Sequence, residues 1–134
     1  MSTGKGKRLN INHLDHLVLT VQDIKRTIAF YTRVLNMQEI TFGNNRKGLL
    51  FGVQKINLHA LGKEFEPKAT QPTPGSADLC FIAATPMQEI IAHLAQENIT
   101  IVEGPVRRLG ANGPLQSVYF YDPDGNLIEV SNYV

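Results

Sequence analysis

The chain has 134 residues, of which 43% are hydrophobic and 19% charged, and its formal net charge is +1. That length suits one domain, or two half-domains sharing a core, while a near-neutral charge spread along the chain offers no surface for nucleic acid or an anionic membrane. A single cysteine, Cys80, excludes an internal disulfide, and no apolar run approaches the roughly 20 residues that cross a bilayer.

The opening MSTGKGKRLN is basic and polar, without the apolar centre of a secretion signal. Residues 1–11 are therefore expected to form a flexible arm on a cytoplasmic protein. From Asn12 onward HLDHLVLTV alternates with a period of two and predicts a strand. Asp23 then caps DIKRTIAFYTRVL, where Ile24, Ile28, Tyr31 and Leu35 recur at helical spacing. MQEITF, KGLLFGV and KINLHAL follow as strands, with GNNRKG supplying turn residues between the first two. Module one, residues 12–62, reads βαβββ.

The stretch GKEFEPKATQPTPGS is rich in Pro, Gly and charge and is expected as a loop, with the linker at 63–75. Module two, 76–134, repeats the order. ADLCFIAA is a strand in which Cys80 reads as a buried, inert thiol. Thr85 caps a helix with Pro86 at its first position, and ITIVEG, SVYFYD and NLIEVSNY complete the module. The halves overlay without a gap at an offset of 62 residues: Leu17 on Leu79, Asp23 on Thr85, Asn36 on Asn98, Ile40 on Val102. Such a repeat predicts an α+β fold of two curved four-stranded sheets, each built from one βαβββ module.

Four polar residues interrupt these apolar strands: His16, His59, Asp78 and Glu129. Burying a lone carboxylate such as Glu129 among Leu127, Ile128 and Val130 is costly without a partner. Two imidazoles and two carboxylates match the donors of a divalent metal such as zinc, nickel, cobalt, manganese or iron, and the overlay sets His16 on Asp78. Each residue alone also has a structural reading: a core histidine bonded to a carbonyl, a strand-end histidine, a turn aspartate, a carboxylate on a solvated face. Ser117, Tyr119 and Tyr121 share one face of their strand and are candidates to line a substrate cavity. Arg107 and Arg108 are the nearest candidates for holding an anionic substrate.

LDHLVLTVQDIKRTIAFYTRVLNM at the front and FYDPDGNLIEV at the end resemble the glyoxalase, or vicinal oxygen chelate, superfamily. INLHALGKEFEPKA and LIEVSNYV most resemble the glyoxalase domain-containing protein 5 group and bacterial glyoxalase-like virulence proteins. The resemblance implies a metal-lined cavity enclosed by the sheets, with His16 and Glu129 as ligands and Glu129 also as candidate catalytic base. Family members usually carry histidine where this chain has Asp78, a change toward metals that prefer oxygen donors. Glyoxalase I takes a further ligand from the fourth strand of module one, where His59 and Asn57 share a face; His59 is placed first for its donor strength.

The implied activity is that of a glyoxalase I-like lyase or isomerase acting on a small oxygenated or glutathione-linked substrate. It would use a divalent metal (Ni, Zn, Co or Mn) and, in the glyoxalase I reaction, glutathione as cosubstrate. The alternative is a non-catalytic module of the bleomycin-resistance type that sequesters a small molecule. A homodimer is expected, since relatives build their sites across a dimer and the strand pattern leaves sheet edges exposed.

Overall fold

The computed structural model describes residues 7–134. The expected arm lies partly outside that range; residues 7–15 carry no helix or strand and are exposed, Leu9, Ile11 and Leu14 included. Module one is β1 (His16–Val21), α1 (Ile24–Leu35), β2 (Gln38–Phe42), β3 (Arg46–Phe51) and β4 (Gln54–Ala60). Module two is β5 (Asp78–Ile82), α2 (Met87–Gln96), β6 (Glu103–Gly110), β7 (Gly113–Tyr121) and β8 (Leu127–Tyr133). Each module forms one sheet, ordered β1-β4-β3-β2 and β5-β8-β7-β6, with the first pair parallel and the others antiparallel. The fold class follows the sequence expectation. Among the described residues no helix is long and apolar enough to cross a membrane.

Strand alternation sorts the sheets into two faces. Leu19, Val21, Leu49, Ile56 and Leu58 from sheet one join Val118, Phe120, Ile128 and Val130 from sheet two in one core, completed by Ile28, Tyr31 and Val34 of α1 and Ile90 and Leu94 of α2. The opposite, front faces carry His16, Val18, Thr20, Asn57 and His59 on sheet one, and Asp78, Cys80, Glu129, Ser117 and Tyr119 on sheet two.

The Asp23 side chain accepts a hydrogen bond from Arg26 N at 3.0 Å, and Asn36, at φ +55°, ends α1 in a left-handed turn. Asn98, its partner in the overlay, adopts the same conformation at φ +60°. Thr85 does not cap α2: Pro86 holds that position, with no side-chain hydrogen bond. The helices meet through Arg33 Nη1 and Glu97 Oε1 at 2.7 Å and through His93 Nε2, 2.8 Å from the Val34 carbonyl oxygen.

The strand expected at ITIVEG lies further on. Residues 99–102 fall outside strands, and β6 runs from Glu103 through Pro105, with its pairing to β7 irregular between Glu103 and Val106. Proline is tolerated there because β6 is an edge strand. The overlay of Ile40 on Val102 fails for the same reason.

Candidate functional site on two open sheet faces

The front face of sheet two is built around Glu129. Register places Cys80, Glu129, Tyr119 and Glu103 in one row across β5, β8, β7 and β6. The Ser117 hydroxyl donates to Glu129 Oε2 at 2.6 Å, and Ser131 Oγ lies 3.4 Å from the same oxygen. The carboxylate is thus held through Oε2, with the Cys80 thiol and the Tyr119 hydroxyl on either side of it. Asp78 pairs with Leu127, two residues before Glu129, so the two acids are diagonal neighbours roughly 8 Å apart at the backbone.

Cys80 corrects the sequence reading. Leu79 and Phe81 pack toward the core, and alternation turns Cys80 to the open face, where it is exposed and 3.4 Å from Ser131 Oγ. Partial burial, with the nearby Glu129 carboxylate, raises its thiol pKa and keeps it protonated.

Tyr119 also stands on this face, its hydroxyl accepting a hydrogen bond from Arg108 Nε at 3.0 Å, and Tyr121 is exposed beside it. Arg107, the expected arginine, pairs with Gln116 and points from the other side of β6; Arg108, opposite Leu115, shares the face with Tyr119. Both were legible as a pair, but the bulge in β6 hid which one faced the site.

On sheet one, His16 Nδ1 lies 2.8 Å from Asp15 Oδ2, which lowers the Asp15 pKa and, among the described residues, leaves Nε2 without a partner. A carboxylate behind one imidazole nitrogen fixes the ring for a ligand at the other. His16 pairs with Lys55, so Asn57 is its diagonal neighbour, whereas His59 is two residues further on, roughly 13 Å along the strand from the level of His16. The structure therefore does not bring His16 and His59 together. Among the described residues, Asn57 buries Oδ1 with no hydrogen-bond partner, and His59 buries Nε2 likewise. Burial and the Arg46 charge lower the His59 pKa, so its ring is neutral near pH 7.

Register reveals a symmetry that the ungapped overlay misses. Val18 pairs with Asn57 and Cys80 with Glu129; Val18 and Cys80 are equivalent, hence so are Asn57 and Glu129. His16 and Asn57 on sheet one repeat the relation of Asp78 and Glu129 on sheet two. The two pairs do not converge within one chain: among the described residues no three His, Cys, Asp or Glu side chains gather as a metal site. A cavity of about 450 Å3 lies under the linker at the Thr20 and His59 end of the sheet-one front face, lined also by Lys68, Thr73 and Asn126 among others.

Residues 13–130 match the model of the Glyoxalase/Bleomycin resistance protein/Dioxygenase superfamily. The chain belongs to that superfamily. It is 60% identical over 124 residues to virulence protein STM3117 of Salmonella typhimurium, spanning 92% of this chain and 86% of that one. The crystal structure of that virulence protein superposes with a TM-score of 0.93 at 59% identity, over 94% of this chain and 100% of the other. The chain is also 54% identical to glyoxalase domain-containing protein RDO1 of Mycosarcoma maydis over 127 residues, 95% of this chain and 72% of that one. Structures below 25% identity share the superfamily fold: a lactoylglutathione lyase from Agrobacterium tumefaciens (TM-score 0.71, 21% identity, 92% and 95% coverage) and FosX from Listeria monocytogenes, complexed with Mn(II) and sulfate (0.65, 22%, 93% and 93%).

Proposed function

We propose that this superfamily member is a metal-dependent lyase or isomerase whose site forms between the sheet-one face of one copy and the sheet-two face of a second. The observation that carries this reading is the matched pair of donors, His16 with Asn57 and Asp78 with Glu129, each on an open face and each incomplete within its own chain. The residues fit a metal. His16 Nε2 is held outward by Asp15, Asn57 Oδ1 lacks a partner among the described residues, and Glu129 is oriented by the Ser117 hydroxyl on Oε2. One imidazole and three oxygen donors suit manganese better than a set with two imidazoles would. His59 is then not a ligand.

When bound, the metal would supply Lewis-acid stabilisation of negative charge on substrate oxygens. The chain's own part is to place groups and move a proton. Ser117 and Ser131 orient the Glu129 carboxylate, which can take a proton from a carbon beside a carbonyl and return it to the neighbouring carbon when it is not held by the metal. Tyr119, oriented by Arg108, stands in the same row as a donor to the substrate. The first substrates to assay are 2-oxoaldehydes and their glutathione hemithioacetals. A free, exposed Cys80 suits a reducing compartment, consistent with the cytoplasm.

The test is calorimetric titration of metal-stripped protein with manganese, nickel, cobalt and zinc. Stoichiometric binding is expected, weakened about tenfold or more in both His16→Ala and Glu129→Gln. Absence of binding by all four would overturn the metal reading and favour sequestration of a small molecule.

A further inference from the structure

The front face of sheet one carries a charge arrangement that the proposed metal chemistry does not use. Register sets three rows across it: His16, Lys55, Leu50 and Gln38; Val18, Asn57, Gly48 and Ile40; and, one step on, Thr20, His59, Arg46 and Phe42. Gly48 leaves the middle row low. A Cβ there would come within 3.4 Å of both Ile40 Cγ1 and Phe42 Cε1, so the glycine keeps a trough open beside the phenylalanine. Lys55 reaches across this trough, placing Nζ 4.1 Å from the Phe42 ring centroid. The Arg46 guanidinium carbon lies 5.7 Å from the same centroid and 4.3 Å from that of Phe65. Phe65 in turn meets the His59 ring edge-on at 5.5 Å between centroids.

Two like charges thus share one aromatic ring, and neither makes an ion pair among the described residues. Two carboxylates near this cluster are committed elsewhere: Asp15 to His16, and Glu64 to the Gly62 amide and Lys68. Contact with a ring face stabilises each cation by about 0.5–2 kcal/mol but does not cancel the repulsion between them. An anion would. The buried, unpartnered Nε2 of His59 adjoins the same cluster and forms part of the wall of the cavity under the linker, so a polar ligand is needed there as well.

We propose that this face binds the anionic end of a small organic molecule, its acidic oxygens between Arg46 and Lys55 and its planar or apolar body against Phe42 and Phe65. The inference rests on the preceding reading only in taking that molecule as the substrate of the same site; the anion-binding residues belong to sheet one and need no metal.

The experiment is an NMR titration of the full chain, without added metal, using benzoate, phenylphosphonate and, as a neutral control, benzyl alcohol. Saturable shifts are expected with at least one of the two anions and not with benzyl alcohol. Benzoate alone would identify a carboxylate ligand, phenylphosphonate alone a phosphonyl or phosphoryl one. Arg46→Gln and Lys55→Gln should each weaken binding about tenfold or more, with partial recovery in Arg46→Lys, while thermal melting checks that each variant folds. Metal titration of Arg46→Gln should match the parent protein. No saturable binding of either anion, or unchanged affinity in both glutamine variants, would overturn the proposal. So would dissociation of an oligomer by these variants, since the cations would then pair with carboxylates of a second copy. Metal binding without anion binding would sink this inference alone; anion binding without metal binding would sink only the reading that precedes it.

Discussion

Tyr31 and Asp122 explain why two motifs far apart in the chain belong together. The Tyr31 hydroxyl donates to Asp122 Oδ2 at 2.6 Å in the core, tying α1 of module one to the turn before β8 of module two. The same aspartate accepts from the Asp124 and Asn126 amides and from the Asn126 side chain, which shapes the DPDGN turn that leads into Glu129. Burial and the adjacent carboxylate push the Tyr31 phenol pKa far up, so it stays a donor. Tyr31→Phe removes that donor while keeping the ring, and should cost about 1–3 kcal/mol, read as a lower calorimetric midpoint with metal stoichiometry unchanged; an unaltered midpoint would dismiss the tie. Sequence displayed both motifs but not their bond, because hydrophobic periodicity marks which face is buried and says nothing of what a buried hydroxyl touches. Glu129 was legible as a carboxylate needing support. Ser131, two residues on in the same strand, was legible as sharing its face; Ser117 was not legible as its donor, since it comes from another strand brought level only by the β7–β8 register.

At the scale of elements, nine of the ten segments carry enough periodicity to be found from sequence; β6 is the exception. Its Pro105 and two arginines argue against a strand, and only its place at the sheet edge lets them stay. The ungapped overlay holds from β1 to the helix ends and then drifts, because β6 and β7 are longer than β2 and β3. His59 stood ahead of Asn57 on donor strength alone, because the drift hides their equivalence to Ser131 and Glu129, which exists only in the strand register. The linker is held at its end by Gly75, at φ +80°, where a Cβ would lie 2.5 Å from the Asp124 carbonyl oxygen. Gly62, at φ +82°, has nothing within 4 Å. Both Gly→Ala changes strain the backbone by about 1 kcal/mol, but Gly75→Ala adds a steric overlap against main chain. Its urea midpoint should therefore fall well below that of Gly62→Ala, and equal midpoints would show that the linker is not seated on that turn.

At the scale of the molecule, the two modules bury one face of each sheet in a common core and leave the other two faces open, one with cations and neutral donors, the other with carboxylates. If the site is completed by a second copy, it takes His16 and Asn57 from one chain and Asp78 and Glu129 from the other. Complementation follows from that division. His16→Ala spoils the sheet-one half and Glu129→Gln the sheet-two half, so neither variant alone retains a whole site. Unfolded together in equal amounts and refolded, half of the dimers would be mixed by random pairing, and each mixed dimer has one site with both halves intact. Metal-binding capacity should then return to about one quarter of that of the unsubstituted protein, with the dimer mass confirmed by light scattering. A site contained within a single chain would return nothing, because every chain in the mixture carries one of the two lesions.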